Sequence, residues 1–200
     1  MRLMIFSLLV TTMGWAINPV EIVNAALVGD CANNELKIVK EGGEYFIAAF
    51  FPIQAVADAE LVEKKSCRAV YQIKFADGFK QDGFEFPIDG HYQLSEHGIA
   101  RLNISHRIAN NTSARTNKYF SIARGDPTEA DIKELSGTIA PEELPAIYSK
   151  CGADISATMS VYAAAVKPVM DQARITSIGL KKNSAGYVKI GKIGVRPCEG

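Results

Sequence analysis

Cys67, Ala69, Tyr71, Ile73 and Phe75 alternate with Arg68, Val70, Gln72 and Lys74. A period of two places the first set on an apolar face of a strand and the second on a wetter one. Ala100, Leu102, Ile104, His106 and Ile108 alternate in the same way with Arg101, Asn103, Ser105 and Arg107, and Ala153, Ile155, Ala157, Met159 and Val161 with Asp154, Ser156, Thr158 and Ser160. Three such runs, far apart in the chain, predict an antiparallel sheet with one packed face, in which Tyr71, Ile73, Leu102, Ile104, Ile155, Met159 and Val161 are core. Further strands are expected over residues 35–40, 44–51, 116–123, 173–181 and 186–196, with Gly42 and Gly43 turning the first pair into a hairpin. About eight strands separated by turn signals predict an all-β fold, an antiparallel β-sandwich.

Residues 125–149 break the alternation. Asp126 followed by Pro127, Thr128 and Glu129 reads as a capped helix start with proline in the first turn. Pro141-Glu142-Glu143-Leu144 begins a second helical turn that Pro145 limits. One or two short helices are therefore expected in a long connection.

The N-terminus has the three parts of an export signal: Arg2, an apolar run from Leu3 to Met13, and small residues at Val23-Asn24-Ala25. The run is interrupted by Thr11, Thr12 and Gly14, and is shorter than the roughly 18 to 20 residues that span a bilayer. Cleavage is expected after Ala25, with Ala16 as the second choice, so residues 1–25 read as signal peptide and 26–200 as a single domain with no membrane insertion after cleavage. Of the 200 residues, 22 are basic and 22 acidic. That balance argues against nucleic acid or an anionic membrane as partner, since both demand a basic excess.

All four cysteines, Cys31, Cys67, Cys151 and Cys198, follow the signal, and an even number in an exported chain predicts disulfides and a secreted or periplasmic location. If the first three expected strands form a meander, Cys31 and Cys67 meet at one end of the sheet; if the strands opened by Cys151 and closed by Cys198 are antiparallel neighbours, those two meet as well. The competing arrangement joins the halves, for example Cys67 with Cys151.

The cysteine contexts run Gly29-Asp30-Cys31, Lys65-Ser66-Cys67, Gly90-His91-Tyr92, Tyr148-Ser149-Lys150-Cys151-Gly152 and Arg196-Pro197-Cys198. In that order they resemble the secreted proteins of domain-of-unknown-function family 4360, over essentially the whole mature chain, from Gly29 to Cys198. The family usually has Trp and Pro where Tyr148 and Lys150 stand. The resemblance implies secretion, a β-rich fold and a cysteine framework, and implies no activity.

Searching for chemistry yields no nucleophile elbow, no phosphate-binding glycine loop and no H-E-x-x-H helix, so no catalytic residue, metal ligand or cofactor is assigned. His91 and His97 with Asp89 and Glu96 match no common metal spacing and read as solvated loop residues. His106, on the apolar side of its strand, reads as a hydrogen-bonded core histidine. The candidate binding surface is the segment containing Phe79, Phe84, Phe86, His91 and Tyr92, where aromatic rings interleave with Lys80, Gln81, Asp82 and Asp89 in a mixture suited to sugar rings and hydroxyls. The competing expectation is that Phe84 and Phe86 point inward. Asn103-Ile104-Ser105, Asn110-Asn111-Thr112 and Asn111-Thr112-Ser113 are glycosylation sequons. The favoured function is non-catalytic binding of a glycan or an extracellular protein; the alternative is a secreted hydrolase or enzyme inhibitor with a site built from dispersed residues.

Overall fold

The computed structural model describes residues 18–51, 53–108, 115–123, 132–139, 150–169 and 175–199. The alternating runs fold into two antiparallel sheets that close on one hydrophobic core. The first sheet has five strands in the order β1 (Val20–Gly29), β5 (Val62–Phe75), β10 (Asp154–Val166), β7 (Ile99–Ile108) and β8 (Arg115–Ala123). The second has seven: β2 (Leu36–Glu41), β3 (Glu44–Ala49), β12 (Val188–Pro197), β6 (Phe79–Gln93), β11 (Thr176–Leu180) and β4 (Ile53–Ala57) in that order, with β9 (Lys133–Ile139) paired to β6. The expected architecture is thus the observed one, with twelve strands among the described residues instead of about eight.

The core residues expected from periodicity all lie inside: Tyr71, Ile73, Leu102, Ile104, Ile155, Met159 and Val161 are each 3% exposed or less. Full burial of one such side chain contributes about 1.5–3 kcal/mol, which is why alternation fixes the face each strand turns inward. Gly42 and Gly43 close the β2–β3 hairpin with φ of +59° and +87°, so both central residues of this two-residue turn occupy the region that glycine enters without a Cβ clash.

Four strands escaped the periodic reading. β1 was hidden in the expected signal: Val20 is wholly buried, and residues from Val20 to Gly29 pair with β5, so the Ala25–Ala26 bond lies inside a strand. β4 is short, and β6 contains Gly83, Pro87 and Gly90, which read as punctuation. β9 occupies the middle of the segment expected to be helical, and the helix starts at Asp126 and Pro141 lie outside the described residues. Among the described residues there is no helix.

Both expected disulfides are present, Cys31–Cys67 with Cα atoms 5.4 Å apart and Cys151–Cys198 with 6.1 Å. The second forms for a different reason from the one expected. Cys151 precedes β10 and Cys198 follows β12, and these strands belong to different sheets, so the bridge ties the sheets together at one end of the sandwich. Two intramolecular disulfides point to an oxidising environment.

Candidate functional site

The five residues expected to form a binding surface are not brought together. β6 alternates in and out, so Phe84 and Phe86 are buried at 3% and 2% exposure and belong to the core. Their rings stack on each other with centroids 6.4 Å apart. Tyr92 lies half-buried against the same core. Phe79, also half-buried, pairs with Pro197, and its carbonyl accepts a hydrogen bond from the Gly152 N–H at 2.9 Å beside the second disulfide. His91 is on the opposite face of β6, where Gly179 separates it from Gln54 in the register. The missing side chain at Gly179 lets Gln54 Nε2 approach His91 Nε2 to 3.3 Å; a Cβ there would lie 2.8 Å from Gln54. His97 is exposed in a turn, 3.9 Å from the Glu96 carboxylate. Among the described residues no three His, Cys, Asp or Glu side chains converge as a metal site would require.

His106 is a core residue, but not the hydrogen-bonded one expected. Neither ring nitrogen has a hydrogen-bond partner of good geometry. The imidazole stacks on Phe86 instead, and desolvation pushes its pKa down to about 3, which a weak interaction with the Ile190 backbone offsets only in part.

A shallow concavity among the described residues lies elsewhere, on the outer face of the five-stranded sheet. Register aligns its side chains in rows across the strands. Ser66, Tyr162, Asn103 and Tyr119 form one row over β5, β10, β7 and β8, and Arg68, Ser160, Ser105 and Asn117 form the next. Serines at 66, 105 and 160 leave space between the larger Arg68, Asn103 and Tyr162, and these residues line a depression of about 260 Å³. Tyr119 and Tyr162 are exposed at its side, two strand spacings or roughly 10 Å apart. Asn103 Oδ1 is buried without a hydrogen-bond partner, and Asn103 belongs to the first sequon; the sequons at Asn110 and Asn111 lie outside the described residues.

The two outer faces differ in how they treat charge. On the seven-stranded sheet Lys189 Nζ is 2.9 Å from Glu41, which also accepts a hydrogen bond from the Tyr187 hydroxyl at 2.7 Å. These two bonds, Lys189 first, hold the Glu41 carboxyl below its ordinary pKa. Lys192 bridges Glu44 at 2.6 Å and Glu85 at 3.6 Å. On the five-stranded sheet Lys64, Arg68, Arg101 and Arg107 are all exposed, and none has an ion-pair partner among the described residues.

Fold and site together define a disulfide-bonded antiparallel β-sandwich with a shallow, tyrosine-bearing face. No family model matches the chain, so membership of family 4360 stays an expectation from the cysteine contexts. No curated protein matches it. Among solved structures it is similar to TmCBM61 in complex with β-1,4-galactotriose, at 12% identity over 89% of this chain and 91% of that one, with a TM-score of 0.30. A likeness of that size carries no argument about ligand.

Proposed function

We propose that this protein is a non-catalytic binding module of the extracellular or periplasmic space, and that its ligand is a saccharide held on the outer face of the five-stranded sheet. The observation that carries this reading is the row Tyr162, Asn103, Tyr119 beside a depression lined by serines. Exposed tyrosine rings offer flat apolar surface to the C–H faces of sugars, while Asn and Ser side chains exchange hydrogen bonds with hydroxyls. The spacing of the two tyrosines suits a chain of several sugar rings. The two disulfides support an oxidising location. Glycoside hydrolysis uses a pair of carboxyl groups, and among the described residues none lines this depression, which favours binding over hydrolysis at this face.

Titration calorimetry against oligosaccharides chosen from a glycan array tests the proposal. Tyr162→Ala should weaken binding about tenfold, the size of a lost aromatic contact of roughly 1.4 kcal/mol, with an unchanged circular dichroism spectrum. Binding that survives in both Tyr162→Ala and Tyr119→Ala would place the ligand on another surface.

A further inference from the structure

Resting on the saccharide reading, we infer that the preferred ligand is an acidic saccharide, one bearing carboxylate or sulfate groups. Four cations bracket the tyrosine row. Lys64 and Arg101 share the row on one side, Arg68 lies in the row on the other, and Arg107 stands one row further out. All four are exposed and without an acidic partner among the described residues, while Lys189 and Lys192 on the opposite sheet are paired with Glu41, Glu44 and Glu85.

The balanced charge of the whole chain does not cancel this patch. On the same face the acidic residues Glu21 and Asp154 pair in register with Lys74, six residues along β5 from Arg68. That is roughly 20 Å, about twice the distance over which exposed charges act at physiological ionic strength. Nearer by, Asp30 is already engaged: its Oδ2 accepts the Ser66 N–H at 2.6 Å and its Oδ1 is 4.0 Å from Lys65 Nζ. Among the described residues the charge around the tyrosine row is therefore positive.

Three of the four cations are arginines, whose planar forks match the two oxygens of a carboxylate or sulfate and carry more directional information than lysine. Tyrosine rings for the sugar faces and guanidinium groups for the charged substituents make a combined requirement that a neutral glycan meets only in part. Nucleic acid would share the charge but not the need for serine and asparagine along the tyrosine row.

Polygalacturonate, its fully methyl-esterified form and heparin separate the terms, because esterification removes charge from an unchanged sugar backbone. Binding of the disulfide-bonded protein to polygalacturonate or heparin should exceed binding to the ester by about tenfold or more. It should weaken as salt is raised, and fall about tenfold in Arg68→Ala and Arg101→Ala, with Lys182→Ala on the far side as the unaffected control. Equal binding of acid and ester, lost in Tyr162→Ala, would overturn the acidic preference and leave the saccharide reading standing. Binding of no saccharide would overturn both, and equal capture of single-stranded DNA, or affinity for the polyanions that ignores the arginine variants, would reduce the face to a nonspecific basic surface.

Discussion

The His106 ring on β7 lies on the Phe86 ring of β6 with centroids 3.6 Å apart and planes 13° from parallel, joining the two sheets through their centre. Stacking at this distance fills the core between the sheets but gives the ring nitrogens no partner, so the imidazole is held neutral. The native state therefore refuses a proton that the unfolded chain accepts.

Acid sensitivity follows with a definite sign. The folded pKa of His106, about 3, lies below its ordinary value of 6.5, so its contribution is fully present above pH 6.5 and is lost as the pH falls toward 3. Between pH 7 and 4.5 the loss is about 2 to 3 kcal/mol. Urea unfolding over that range should show His106→Leu losing less stability than the parent; parallel acid limbs in the two proteins would contradict a neutral buried imidazole.

Processing should leave β1 whole. Cleavage after Ala25 would remove Val20 to Ala25, six of the ten residues of β1, including the wholly buried Val20. Cleavage after Ala16 removes none of them. The N-terminus of exported protein, read by mass spectrometry, is expected at Ile17, and a mature protein that starts at Ala26 and keeps full stability would show that β1 is dispensable.

The two disulfides close loops with sequence separations of 36 and 47. Constraining the unfolded chain over such loops contributes about 4 kcal/mol each in the chain-entropy description. Replacing Cys151 and Cys198 together with Ala should lower the melting temperature by many degrees, and non-reducing peptide mapping should find no peptide joining Cys67 to Cys151.

Ile104 sits at 3% exposure on the inner side of β7, between the outward-facing Asn103 and Ser105 of two adjacent rows. Ile104→Ala is expected to cost about 2–5 kcal/mol of unfolding free energy. A loss below 1 kcal/mol in denaturant titrations would mean that β7 is not packed as described.

Local sequence sets which way a side chain faces, and that much was legible from the residues: alternation in β5, β7 and β10 assigned their core, paired glycines assigned the β2–β3 turn, and four cysteines pointed to two bridges. The same alternation sends Phe84 and Phe86 inward, but the glycines and the proline of β6 masked its strand character, so an aromatic-rich stretch read as a surface. β1 was illegible because Val20 to Ala25 satisfies the composition of an export signal as well as that of an edge strand. What tertiary structure alone decided is register. Arg68, Asn103, Ser105, Ser160 and Tyr162 are scattered over three distant strands, and each is only a polar or aromatic position on the outward side of its own strand. Hydrogen bonding between β5, β10 and β7 aligns them within one depression, and a slip of one residue would send every one of them to the core. Charge obeys the same division, since composition reports the sum over the chain while screening makes only neighbours count, and neighbours are assigned by the pairing of strands.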